Sequence, residues 1–79
     1  MRNLIFLLNE LIRIVPEDHE QFRENLVKLR DRTTITAPEQ HCNMWQDTQI
    51  VISKYFEAMD TLPEWGTKFI NIWTNKLNK

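Results

Sequence analysis

The sequence predicts an all-α domain, a compact bundle of three to four short helices. Three observations carry this. One glycine, Gly66, and three prolines are the only strong breakers in 79 residues, whereas a sheet needs several turns built from such residues. Apolar residues recur at helical spacing in four segments. Alternation of period two is absent apart from "TTIT" at 33–36.

The first helix is expected over about 3–14. Apolar residues stand at 4, 7, 8, 11, 12, 14 and 15, and Ile5 and Phe6 widen the stripe. Only Asn3, Asn9, Glu10 and Arg13 remain polar, the pattern of a central helix. The second is expected over about 16–32. Phe22, Leu26, Val27 and Leu29 form a narrow stripe that His19 begins. Acids come early (Glu17, Asp18, Glu20) and bases late (Lys28, Arg30, Arg32), which complements the helix dipole.

"TTITA" then breaks the pattern. Thr36 stands three residues before Glu39, which reads as an N-cap with a capping box. The third helix is expected over about 38–59. Its stripe is His41, Trp45, Thr48, Ile52, Tyr55, Phe56 and Met59, with Ile50 on the other side beside Asn43, Asp47, Lys54 and Glu57. Thr61 repeats the box with Glu64, and the fourth helix is expected over about 63–77. Trp65, Phe69, Ile72, Trp73 and Lys76 make its stripe.

Every proline is followed by glutamate: "VPED", "TAPEQ" and "TLPEW". Each pair falls at an expected helix start. Proline lacks an N–H that the first turn would leave unused, and glutamate meets the positive end of the dipole. The pairs read as punctuation rather than as a repeat or a ligand motif.

Length and composition set bounds. At 9.6 kDa the chain is one small domain spanning 1–79, and a chain this short buries only about 60% of its unfolded surface. Three Trp, four Phe and one Tyr are generous for the length. The formal charge of −1 lacks the basic excess usual in a nucleic-acid binder. The single cysteine, Cys42, allows no internal disulfide and fits a reducing, cytoplasmic setting. The uncharged apolar run at 4–8 falls far short of the roughly 20 residues of a membrane span. "MRNLIFLLNELIRIV" shows no small-x-small cleavage site, so a signal peptide is not expected.

Chemistry is sparsely marked. His41 and Cys42 are adjacent, so on a helix they point about 100° apart and do not form a nucleophile–base pair with each other. No CxxC, HxxxH or HExxH spacing occurs, and "HEQFRE" places Arg23 where a second histidine ligand would fall. The carboxylate pairs read as solvated charge, and a phosphate-cradling loop needs more than one glycine. No enzyme activity, metal or cofactor is expected.

Two surfaces stand out. The segment 65–79 carries three lysines and no acid among Trp65, Phe69 and Trp73. "RENLVKLRDR" at 23–32 holds four bases and two acids. Neither inter-helix turn suits a DNA-reading helix-turn-helix, because the helix after 60–62 is Trp-rich and the one after 33–37 carries Glu39, Asp47 and Glu57. The apolar surface exceeds what a minimal bundle buries, which marks an interface, and tryptophan is enriched at binding hot spots.

The expected function is therefore a small non-enzymatic interaction module. An inhibitor, adaptor or antitoxin-like regulator fits, as does a phage- or virus-encoded protein aimed at a host factor. It would dock an aromatic-apolar helical face, with Trp65, Phe69, Trp73 and Ile50 as contacts, on another protein or on itself as a homodimer. The alternative is a nucleic-acid-binding regulator using Arg23, Lys28, Arg30, Arg32, Lys76 and Lys79. A third reading lays the segment 1–15 on a membrane surface.

Overall fold

A computed structural model of the protein describes residues 3–77, and the side chains up to residue 75. The described residues form four helices in an all-α bundle, with no strand among them: α1 (Leu4–Ile14), α2 (Glu20–Thr34), α3 (His41–Glu57) and α4 (Glu64–Leu77). Short 3₁₀ turns, Glu17–His19 and Pro38–Gln40, lead into α2 and α3.

Local chemistry sets these boundaries. The Asn3 side chain accepts the Ile5 N–H at 2.8 Å and caps α1. The helix stops at Ile14 because Val15 precedes a proline, which disfavours α geometry, and Val15 is extended at φ −68°, ψ 122°. Ala37, before Pro38, is extended for the same reason at φ −60°, ψ 143°. The three prolines all sit at helix entries. The carbonyls of Pro16, Ala37 and Pro63 accept the N–H groups of His19, Gln40 and Gly66 at 3.0, 2.9 and 2.9 Å.

The capping boxes do not form. The Thr36 hydroxyl turns back to donate to the Arg32 carbonyl, and its N–H donates to Thr33 O at 3.2 Å. Ala37 instead holds the N-cap position. At α4 the Pro63 carbonyl receives Gly66 and Thr67, so Thr61 stands three residues before the first helical residue, Glu64. The end of α2 also differs from expectation, running on to Thr34. Thr33 and Thr34 donate their hydroxyls to the Leu29 and Arg30 carbonyls at 2.8 and 2.9 Å. This back-bonding lets a β-branched polar run finish a helix. At the other end of α3 the helix stops at Glu57, two residues early.

The core follows the expected stripes closely on α1 and α2. Leu4, Leu7, Leu8, Leu11 and Ile12 are buried, as are Val15, Phe22, Leu26 and Leu29. Helix α1 packs on α2 and on α4, and α2 packs also on α3. On α3 the buried line is Met44, Thr48 and Ile52, with Trp45, Val51, Tyr55 and Phe56 half-buried beside it. Buried Thr48 donates to the Met44 carbonyl at 2.7 Å. Among the described residues no buried side-chain nitrogen or oxygen lacks a partner, as a sound core requires.

Helices α3 and α4 meet through rings rather than through close backbones. Phe22 stacks on Tyr55 with centroids 4.0 Å apart and lies within 6.3 Å of Phe56, Trp65 and Phe69. Gly66 makes room for this cluster. A Cβ there would stand 2.9 Å from the Phe56 ring and 3.0 Å from the Leu62 side chain. The helix propensity gained by alanine, about 1 kcal/mol, is outweighed by overpacking of about 1–3 kcal/mol. Gly66→Ala is therefore expected to lower stability by about 1 kcal/mol in urea unfolding, although alanine is the better helix former. A gain in stability would show that the Phe56 ring yields freely.

Candidate interaction face on α3

The aromatic residues divide into two groups. At one end of the bundle His19 joins the Phe22 cluster. Its Nδ1 hydrogen-bonds the Tyr55 hydroxyl, its ring lies 5.0 Å from Trp65, and its Nε2 faces the Asp18 carboxylate at 4.0 Å. Carboxylate, imidazole and hydroxyl thus line up, the order of groups found where a base activates a nucleophile. The electrostatics oppose that use. Burial, and then the Asp18 carboxylate, push the Tyr55 hydroxyl above its ordinary pKa of 10, so the neutral form is favoured. The bond fastens the α1–α2 connection to the end of α3.

A pH dependence follows. Unfolded tyrosine ionises near pH 10, while in the fold Tyr55 holds its proton longer. The unfolded state then binds fewer protons, and stability falls as pH rises above about 10. Tyr55 is the only tyrosine, so its phenolate absorbance in the near ultraviolet reads this titration directly. Tyr55→Phe should flatten the alkaline loss relative to wild type and cost about 1 kcal/mol at neutral pH. Equal alkaline slopes in the two proteins would contradict the assignment.

His19 and Cys42 are far apart. Tyr55 lies 13 residues beyond Cys42 on the same helix, about 20 Å at about 1.5 Å per residue. Cys42 is exposed, and His41 Nε2 contacts the Thr36 carbonyl at 3.1 Å. No group of three or more His, Cys, Asp or Glu able to hold a metal occurs among the described residues.

The second aromatic group lies along α3 and α4. Trp73 stacks on Trp45, with centroids 5.6 Å apart and planes at 30°. Its indole N–H donates to Gln49 Oε1. The other end of that amide, Gln49 Nε2, donates to Ser53 Oγ at 2.8 Å. Gln49 therefore has both polar ends of its amide engaged. Beside it runs an open apolar groove of about 460 Å³, lined by Trp45, Gln46, Gln49 and Ile50. Ile50 is 51% exposed at its edge.

These placements correct the expected contact set. Phe69, 0% exposed, and Trp73, 3% exposed, are core residues and offer no surface to a partner. Their face of α4 is turned inward because α1 and the Phe22 rings cover it. Trp65 is half-buried against His19 and Phe56. Of the four expected contacts, Ile50 alone is open to solvent. Sequence reasoning missed Trp45, Gln46 and Gln49. The available signal was Trp45 at the border of its stripe, with two glutamines between it and Ile50. It also missed Phe6 and Ile35, which are 74% and 86% exposed.

The expected basic surface is not assembled. On α2, Arg23 and Arg30 project about 170° away from Lys28 and Arg32, with Glu20, Glu24 and Asp31 between them. Arg30 is occupied by Asn9 Oδ1 at 3.0 Å and by Asp31 at 3.3 Å. Arg32 lies 3.8 Å from Asp47. Lys79 and the Lys76 side chain lie outside the described residues. Helix α1 uses its apolar face within the bundle, and no described helix is long and apolar enough to cross a membrane.

No protein-family model matches this chain, and neither a curated protein nor a solved structure shows significant similarity to it.

Proposed function

We propose that the protein is a non-enzymatic protein–protein interaction module, an inhibitor, adaptor or regulator, that docks through the outer face of α3. The observation that carries this reading is the groove beside Ile50, whose walls are fixed from behind. Buried Trp73 positions Trp45 by stacking and Gln49 by a hydrogen bond. Side chains held in place before binding lose little freedom when a partner arrives. A fixed aromatic edge with an exposed aliphatic residue beside it is the usual composition of an interface centre.

The test uses Ile50→Asp. Ile50 is half exposed, so the substitution should leave far-ultraviolet circular dichroism unchanged and shift stability by about 0.5 kcal/mol or less. Affinity capture from the cells that express the protein, with wild type and Ile50→Asp compared by quantitative mass spectrometry, should show a partner that wild type retains and the variant loses. Equal capture by both would reject this face as the docking surface.

A further inference from the structure

We infer that the occupant of this face is a second copy of the chain, with α3 of each copy pairing antiparallel across a two-fold axis at Ile50. The inference rests on the interaction reading and names its partner. The outward line of α3 is Asn43, Asp47, Ile50, Lys54 and Glu57, separated by four, three, four and three residues. That spacing keeps one line of a helix against a neighbouring helix over four turns. Asp47 is half-buried and the other four are exposed.

The order of charges along the line selects the pairing. An antiparallel arrangement centred on Ile50 sets each residue against one whose number sums with its own to about 100. Ile50 then meets Ile50 of the other copy, Asp47 meets Lys54, and Asn43 meets Glu57. By symmetry the opposite-charge pair forms twice, and a two-fold interface must be self-complementary in this way. A parallel arrangement would set Asp47, Lys54 and Glu57 each against its own kind, and like charges juxtaposed disfavour a pairing. The groove adjoins this line at Ile50, with Gln46 and Gln49 on one flank of it.

Arg32 approaches the same Asp47 carboxylate at 3.8 Å, with that carboxylate side chain 47% exposed. The carboxylate is thus partly satisfied within its own chain. One helix face with a single exposed aliphatic residue also covers less than the roughly 1,200–2,000 Å² of a stable complex. The pairing is therefore weak, with dissociation expected at roughly 0.1–1 mM.

Sedimentation velocity from about 10 μM to about 1 mM tests it. Wild type should move from monomer toward dimer across that range, and Ile50→Asp should remain monomeric. Lys54→Glu alone and Asp47→Lys alone should each weaken association about tenfold, because each sets like charges across the axis. An equimolar mixture of the two variants should regain association, because the introduced glutamate and lysine then face opposite charges. Circular dichroism should be the same for all these proteins. Monomeric wild type at about 1 mM, unaffected single variants, or a mixture no better than its components would each overturn the self-pairing. If wild type stays monomeric yet captures a cellular protein through Ile50, self-pairing fails and the interaction reading stands. Capture independent of Ile50 removes both.

Discussion

Phe22→Ala is expected to remove about 3–5 kcal/mol of stability, the range for deleting a buried aromatic ring. Phe22 is 1% exposed and touches four rings on α3 and α4. A chain of 79 residues has roughly 4–12 kcal/mol in total, at about 0.05–0.15 kcal/mol per residue. The substitution thus removes much of what is present. Part of the loss is transfer of the ring to water, and part is the cavity left among aromatics that cannot collapse fully. Urea unfolding followed by circular dichroism measures it. Phe22→Leu, which refills most of the space, should cost about 1.5 kcal/mol or less. If Phe22→Ala cost under about 1 kcal/mol, the ring cluster would not be the joint between α2, α3 and α4.

Trp73→Ala is expected to cost a further 3–5 kcal/mol measured in its own background, and its effect has two parts. The buried indole leaves a cavity under α3. Its N–H also leaves Gln49 without a donor, so the glutamine is free to leave the groove wall. Trp73→Phe separates the parts. It keeps most of the packing and loses the hydrogen bond, at about 1 kcal/mol for the bond. If Ile50-dependent binding falls in Trp73→Phe while the helical content holds, Trp73 positions the groove. If both are unchanged, its role is confined to the core.

The helices were legible because their signals are local. Pro-Glu pairs mark entries through the missing N–H and the dipole, and the Leu4 to Ile12 pattern fixes which side of α1 turns inward. What failed was tertiary. Thr36 and Glu39 have capping-box spacing, but the Thr36 hydroxyl found the Arg32 carbonyl first. Thr33 looked like a linker residue, yet its hydroxyl can be satisfied inside a helix, so it is buried at 1%. Composition announced surplus aromatics without saying which would be covered. Phe69 and Trp73 are covered because α4 lies against α1 and against the Phe22 rings. Phe6 is uncovered because α1 has neighbours on one side only, between Leu4 and Ile12. The groove was hidden for a related reason. Trp45 and Ile50 stand on different sides of a helical projection, and it is the Gln46 and Gln49 side chains between them that join both to one groove.

The Trp45–Trp73 stack has an optical consequence. Two indoles 5.6 Å apart at 30° couple their electronic transitions, and the sign and size of that coupling depend on their mutual angle. The face proposed for docking therefore carries its own spectroscopic probe. An occupant that presses on Trp45 changes the near-ultraviolet circular dichroism of the pair without any attached label. Trp65 belongs to the other aromatic group, beside His19, and reports on the fold instead. Comparing single Trp→Phe variants at these two places would separate the signal of occupancy from that of unfolding.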